Sequence, residues 1–306
     1  MIIDDRRQLT EQPPDPQRSV VAIPPPGSEP GTWSGAPSAV LDGDSVLLAY
    51  RLRKPIGQGR GYAVVIARSL DGVRFETTQV ITKADVGTES LERPALVQCP
   101  DGRWRLYLSC ATAGTWHWRV EMLEAGAPDA FDPRQRTVVL PGDASSAVKD
   151  PVIEFMAGTW HLWAAVHPLD DPANTDRMTT DYATSPDGVS WTWHGHALVG
   201  RPGEWDARGV RVSAVRFTDG GVLAYYDGRA TAAQNYEERT GLASGTEPGC
   251  LTAIGSEPVP VPPAVGAGGM RYVTIVDLGD GRERLYYELT RPDGMHELRT
   301  ELRLRS

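Results

Sequence analysis

The sequence predicts an all-β fold: a five-bladed β-propeller with four-stranded antiparallel blades, one domain over residues 1–306. Three observations carry this. A hairpin pattern occurs five times, each copy two runs rich in β-branched and aromatic residues around a tight turn. The turn glycines Gly43, Gly102, Gly158, Gly220 and Gly281 are 59, 56, 62 and 61 residues apart. A near-constant period marks units that cannot bury their own apolar faces and must stack. A repeat of about 60 residues holds four strands and their turns, which is the blade of a propeller.

Taken in order, residues 1–17 are polar and proline-rich and are expected to form an extended or mobile lead-in. Arg18 to Ile23 reads as a strand, stopped by Pro24-Pro25-Pro26-Gly27. Blade 1 opens with the hairpin from Pro37 to Tyr50, which turns at Asp42-Gly43. Its second hairpin runs from Tyr62 to Val80 around Leu70-Asp71-Gly72. Blade 2 starts at Glu92-Arg93-Pro94, turns at Asp101-Gly102 and ends near Leu140. Blade 3 starts at Lys149-Asp150-Pro151, turns at Ala157-Gly158, and turns again at Ser185-Pro186-Asp187-Gly188. Blade 4 runs from about Trp205-Asp206 to about Pro262 and turns at Asp219-Gly220. Blade 5 begins near Met270, turns at Asp280-Gly281 and has one more strand, His296 to Leu304. That blade is a strand short, and the run Val20 to Ile23 is the segment available to complete it and close the ring. Closure removes exposed sheet edges.

Composition narrows the function. The net charge is −9 and no Lys/Arg-rich tract occurs, so nucleic acid is not an expected partner. Cys99, Cys110 and Cys250 have no regular spacing and give neither a disulfide framework nor a zinc motif. The sequence has no run of 18 apolar residues, and its first residues carry no apolar core of a signal peptide. A soluble, reduced, cytoplasmic protein without a membrane partner is expected. Nine Trp and ten Tyr against four Phe favour aromatics with a polar edge, which suit both strands and sugar stacking.

With strands lettered A to D from the axis outward, every A–B turn is short. The B–C connections are long: 51–61, 111–116, 167–181 and 227–240. In an up-and-down sheet those connections share a face with the segments entering strand A. That face is where a site is expected, because function concentrates in long loops on a rigid frame.

The entry segments include Glu92-Arg93-Pro94-Ala95-Leu96-Val97 and Lys149-Asp150-Pro151. With the outer turns Ser69-Leu70-Asp71-Gly72 and Ser185-Pro186-Asp187-Gly188, they make the chain resemble the five-bladed propeller glycosidases, the arabinanases, xylosidases, invertases and their relatives. The resemblance spans nearly the whole chain in its repeat pattern. It implies an axial funnel with three acidic residues from different blades: a base or nucleophile, a general acid, and a third carboxylate that tunes the acid or orients the sugar. Asp150 matches the third position. The sequence departs from the pattern elsewhere. Ser34-Gly35-Ala36 has no carboxylate where blade 1 should supply one, and Arg211 stands near the place of the blade 4 acid.

Glycoside hydrolysis needs two carboxyl groups across the scissile bond. Beside Asp150, the candidates for acid and base are Glu92, Asp206 and Glu238, with Asp227 and Glu237 close by. Blade 4 is dense in charge, with Arg208 and Arg211 at its entry, Asp227 and Arg229 after strand B, and Asn235, Glu237 and Glu238 before strand C. Such density is expected either as an ion-pair network that holds a loop down or as a polar ligand site. In the second case Arg93, Arg208, Arg211, Arg229 and Arg271 clamp a carboxylate or phosphate. Trp33 and Trp116 are the expected stacking platforms for a sugar ring, with Asn235, Asp227 and Glu237 completing the binding set.

No histidine pair has metal-ligand spacing, no phosphate-binding loop is present, and no cofactor or metal is assigned; an ion on the axis stays open. The expected function is therefore that of a glycoside hydrolase-like enzyme. It would act on a small-molecule carbohydrate or sugar derivative, an anionic one included, by carboxylate acid/base catalysis in the funnel. The alternative is a non-hydrolytic sugar-binding propeller, or a propeller enzyme of other chemistry in a biosynthetic pathway; the absent blade 1 carboxylate favours it.

Overall fold

The computed structural model describes residues 12–305. The first eleven residues of the expected lead-in, and Ser306, lie outside the described residues. Twenty strands and almost no helix make up the rest. β1 (Val20–Ile23) precedes β2 (Trp33–Asp42), β3 (Ser45–Arg53), β4 (Gly61–Ser69) and β5 (Glu76–Thr82), which pair in that order. After a single turn of helix, α1 (Lys83–Val86), come β6 (Leu91–Gln98), β7 (Trp104–Ala111), β8 (Trp118–Ala125) and β9 (Arg136–Leu140). A third run holds β10 (Ser146–Met156), β11 (Thr159–Pro168), β12 (Thr179–Ser185) and β13 (Thr192–Leu198). A fourth holds β14 (Gly209–Thr218), β15 (Gly221–Arg229), β16 (Arg239–Glu247) and β17 (Cys250–Ile254). The last strands are β18 (Met270–Asp277), β19 (Arg282–Thr290) and β20 (His296–Leu304), and β1 pairs antiparallel with β20. Two single-residue parallel bridges, Arg239 with Met270 and Trp33 with His296, join three of the runs into one twelve-stranded mixed sheet.

The apolar clusters show how the runs stack. One joins β3–β5 to β6–β8 through Val64, Ile66, Leu96 and Leu106. Further clusters join the second run to the third, the third to the fourth, and the fourth to the last. The final cluster brings Ala22, Tyr286 and Leu298 against Leu48 and Val65, so the last run packs on the first. Each sheet is thus covered on both faces by its neighbours, the condition under which a repeat that cannot bury itself becomes stable.

Where the sequence reading expects an extended lead-in through residue 17, the structure ties the described part down. Pro16–Arg18 forms a 3-10 turn capped by Asp15, whose backbone N–H donates to Glu301 Oε2 at 2.9 Å. The Tyr225 hydroxyl donates to the Gln12 carbonyl at 2.9 Å.

The outer Ser-x-Asp-Gly turns act as sockets. In the turn after β12, Gly188 N donates to Ser185 Oγ, and Val189 N and Ser190 N donate to Asp187 Oδ1. The turn after β4 repeats this with Ser69, Asp71, Gly72, Val73 and Arg74. Each socket receives an Arg-Leu-Tyr segment of the adjacent sheet. Tyr107 Oη donates to Gly188 O at 2.9 Å, and Tyr286 Oη to Gly72 O at 2.8 Å. Arg105 and Arg284 donate beside them to Asp187 O and Asp71 O. Removing the tyrosine hydroxyl leaves a buried carbonyl unpaired, which costs about 1–2 kcal/mol. Tyr107→Phe and Tyr286→Phe should each destabilise by that amount in denaturant unfolding. The double variant should lose the sum to within about 0.5 kcal/mol, because the two sockets share no residue.

Candidate active site

Residues remote in sequence meet at one end of the axis around a cavity of about 130 Å³. Glu92, Lys149, Arg211, Arg271 and Tyr272 come from the starts of first strands. Arg51, Arg53, His167 and Arg229 come from second strands, and Arg60, Trp116, Asp176, Asn235, Tyr236 and Glu238 from the long connections after them. This is the face that the pattern of long and short loops singles out.

A shared device aims these side chains. All five first strands, β2, β6, β10, β14 and β18, carry a bulge at the same point of their pairing. Bulges re-aim side chains. In three of them a residue with a side chain takes a left-handed backbone: Ala36 at φ 53°, Asp150 at 55° and Tyr272 at 57°. That conformation costs roughly 1–3 kcal/mol and persists where surrounding contacts over-determine it.

The contacts here are ionic. Arg211 donates from Nη1 to Asp150 Oδ2 at 3.1 Å and from Nη2 to Asp227 Oδ2 at 2.9 Å, and its guanidinium lies 3.8 Å from the centre of the Tyr272 ring. Both Asp227 oxygens also accept from Tyr272 N. Tyr272 Oη lies 3.4 Å from Asp150 Oδ2, and Lys149 Nζ is 3.6 Å from the same oxygen. Glu92 pairs with Arg51 and Arg53; Glu238 pairs with Arg229 at 2.5 Å and with Arg271. Glu288, fully buried on β19, takes Arg271 at 2.7 Å, Arg51 at 3.3 Å and the Ala36 backbone N–H at 3.0 Å.

These partners fix the proton inventory. Burial pushes Glu92 and Asp150 up, but the cations outweigh it and hold both at about 2: Arg51, Arg53 and Lys149 around Glu92, and Lys149, Arg211 and Arg93 around Asp150. Glu238 and Glu288 are likewise held well below the carboxylate range by Arg271 and its neighbours against their burial. Asp227 goes the other way. Its desolvation exceeds the pull of Arg211 and raises it to about 6. Burial, aided by Lys149, drops His167 to about 3, so its ring is neutral. With Nδ1 at 2.9 Å from the Thr175 carbonyl, Nδ1 carries the hydrogen and Nε2 is left without a partner.

The structure separates the residues expected from sequence. Glu92, Glu238, Arg211, Arg229, Asn235 and Arg271 line the cavity, with Trp116 exposed at its mouth. Asp150 and Asp227 lie immediately behind it, fully buried. Other candidates are elsewhere. Asp206 is bonded to Arg201 at 2.9 Å and to the Tyr226 hydroxyl at 2.7 Å, away from the cavity lining, because it anchors the loop before β14. Arg208 is taken up by Asp176 at 2.6 Å and Glu237 by Thr290 at 2.8 Å. Trp33 is 1% exposed; Arg53 covers its ring at 4.6 Å, so no sugar reaches it. Arg93 points to the other side of the charge layer, into a wider channel.

Sequence reasoning missed Arg51, Arg53, Tyr272 and Glu288. The last explains the missing blade 1 carboxylate. A Cβ on Gly35 would sit 1.8 Å from Glu288 Oε2, so the bare glycine makes room for a carboxylate arriving from β19. An acid inside the apolar run Leu285-Tyr286-Tyr287-Glu288-Leu289 was the available signal.

With this geometry in view, comparison with solved structures gives the fold. The chain is similar to the β-1,2-mannobiose phosphorylase from Listeria innocua, with 18% identity, 92% of this chain and 94% of that chain covered, and a TM-score of 0.66. It is also similar to a glycosyl hydrolase from Bacteroides ovatus, with 15% identity, 91% and 90% coverage and a TM-score of 0.64. A third likeness is a structure described with the finding that the GH130 family of mannoside phosphorylases contains glycoside hydrolases targeting β-1,2 mannosidic linkages in Candida mannan. There the identity is 16%, coverage is 94% and 95%, and the TM-score is 0.62. No protein-family model matches the chain, and no curated protein matches it. What the chain shares with these structures is the fold.

Two outcomes test the site's electrostatics. Gly35→Ala displaces Glu288 from Arg51 and Arg271 and should cost about 3 kcal/mol or more in denaturant unfolding, the range for breaking a buried ion pair. The pH dependence has two limbs. A group raised on folding, such as Asp227, contributes stability below about pH 4 that is lost as pH rises through about 6. Groups depressed on folding, Glu92 and Asp150, contribute stability above about pH 4 that is lost as pH falls toward 2. Asp227→Asn should therefore flatten the change in melting temperature between pH 4 and 6 while leaving the acid limb in place.

Proposed function

We propose that the chain is a glycoside-processing enzyme, a single-domain five-bladed propeller closed by β1 on β20, whose axial cavity takes a small glycoside carrying a negative charge. The observation that carries the reading is the lining: Arg51, Arg53, Arg60, Lys149, Arg211, Arg229 and Arg271 against Glu92, Asp176 and Glu238. Seven basic side chains, set against these three acids and the buried carboxylates Asp150, Asp227 and Glu288 behind them, leave a small positive excess in a confined space, which favours an anion. Planar guanidinium groups suit a carboxylate or phosphate on the sugar. Trp116 at the mouth offers a stacking face for a neighbouring ring.

In this reading Glu92, ionised and lining the cavity, is the base, and Asp150 orients the site through Arg211 and Tyr272. The neutral Tyr272 hydroxyl is the proton-bearing group on the lining, and Asp227, near 6, is the one raised carboxyl behind it. The cyclic packing of five runs of strands supports the blade count. The free thiols of Cys99, Cys110 and Cys250 fit the expectation of a reducing, cytoplasmic setting.

A second reading, a non-hydrolytic propeller, is favoured by one observation: Glu92, Asp176 and Glu238 all sit on arginines, and each is held below its ordinary range. The substrate experiment separates the two. Aryl glycosides of neutral sugars, aryl uronides and sugar phosphates should be compared for turnover and for binding. Turnover of the anionic members at least tenfold above the neutral ones is expected. Binding of anionic sugars without turnover selects the second reading, and equal handling of neutral and anionic sugars removes the anionic substrate. Asp150→Asn keeps the left-handed backbone but leaves Arg211 and Lys149 short of a buried anion, so it should lower the melting temperature and abolish turnover at temperatures where circular dichroism shows it folded; unchanged turnover of the folded variant would remove Asp150 from the site.

A further inference from the structure

Eight arginines are buried among the described residues: Arg51, Arg53, Arg93, Arg105, Arg211, Arg229, Arg271 and Arg303. Seven of them lie on carboxylates. Arg93 is the exception. Its Nη2 donates to the Ser213 carbonyl at 2.5 Å, while Nε and Nη1 have no partner. Ser213 Oγ, at the same contact, has none either. Arg93 is 3% exposed and Ser213 1%.

Both residues line a channel of about 530 Å³, distinct from the active-site cavity. Its walls are the first strands from their bulges toward their hairpin turns: 38–41, 95–98, 151–155, 213–216 and 274–277. The channel therefore runs along the axis on the side opposite the substrate cavity, and Arg93 stands at its inner end, under the Tyr272 ring at 5.6 Å. Burial lowers Arg93 only to about 10, partly offset by Asp227 and Asp150, so it is charged at neutral pH.

We propose that this inner end is a second site, which binds a small inorganic anion through Arg93 Nε and Nη1 and Ser213 Oγ. A buried, unpaired guanidinium is costly, and its donors need acceptors. Asp227 and Asp150 offset part of the charge from across the layer, but neither bonds to these donors. The three free donors come from two first strands on either side of β10, β6 and β14, on residues that both line the channel. An anion there completes the pattern that every other buried arginine follows. It also pins the bulge at Glu92-Arg93, where one residue faces each side of the charge layer.

The test uses the full chain at constant ionic strength, with sodium gluconate as reference and chloride or phosphate replacing it. Wild type should gain melting temperature with the logarithm of chloride or phosphate concentration, and the responding anion identifies which one the site takes. Ser213→Ala keeps the charge but removes one donor, and should raise the half-saturating concentration about tenfold, the worth of one hydrogen bond to a charged group. Arg93→Met, if folded, should abolish the response. Crystals soaked in bromide should show an anomalous peak beside Arg93 and Ser213. No peak there, or a thermal response in Ser213→Ala equal to that of wild type, overturns the proposal.

Discussion

The interaction on which the axis depends is the contact of Arg211 with Asp150, Asp227 and Tyr272. One guanidinium, stacked face-on at 3.8 Å over the Tyr272 ring, bonds two carboxylates from different sheets. Tyr272 N closes the arrangement on Asp227. The third, fourth and last runs of strands are thereby locked together at the axis. Desolvating each ion costs several kcal/mol, and only good geometry recovers it. This is why the positive-φ bulges at Asp150 and Tyr272 are tolerated: without them the side chains would leave the axis. The apolar clusters between sheets supply the bulk of the stability. The ion network then fixes how the sheets meet.

The same network sets the limits of the chemistry. Carboxylates held near 2 by arginines are good electrostatic stabilisers and poor proton donors. Glu92 and Asp150 are of this kind. The Tyr272 phenol keeps its proton, since burial raises it above its ordinary value, and the raised carboxyl of Asp227 lies one layer back. Neutral His167 presents an unpartnered Nε2 beside Lys149, so it accepts a hydrogen bond rather than adding another charge. On the proposed reading, this arrangement preorganises the site for a ligand that is itself charged.

The repeat was legible in sequence because it is written locally. Alternating β-branched and aromatic residues, an Asp-Gly turn and a Ser-x-Asp-Gly outer turn each specify their own geometry within a few residues. The strand β1 on β20 was legible by subtraction, since the last repeat lacked a strand. The axis was only half legible. Glu92, Asp150, Arg211 and Glu238 stand at entries or in long connections, where an unusual residue is conspicuous. Arg51, Arg53 and Glu288 sit inside apolar strands, where sequence gives no sign of whether a charge faces the axis or solvent. Trp33 and Asp206 were conspicuous for a different reason: both pack the walls that hold the entries in place. Arg93 and Glu92 are adjacent, yet they serve opposite sides of the charge layer, because a bulge turns consecutive side chains in ways that strand alternation does not foretell.

Gly35 and Glu288 bear most directly on the reaction. The space where related propellers are expected to carry a blade 1 carboxylate does contain one, but it is tied to Arg271, Arg51, the Ala36 backbone N–H and His296. So engaged, it is a neutralising group for the arginines and is not free to attack or to carry a proton. Glu288 thus takes up charge from Arg51 and Arg271, while Arg53 and Arg229, which it does not reach, also line the cavity. On the proposed reading, an anionic sugar entering there would raise the affinity of the surrounding carboxylates for protons, since like charge disfavours their ionised form. Glu92, held at about 2, would stay ionised through such a rise and remain the base, whereas Asp227, already near 6, would be carried toward neutrality, and only by substrates that bring their own negative charge.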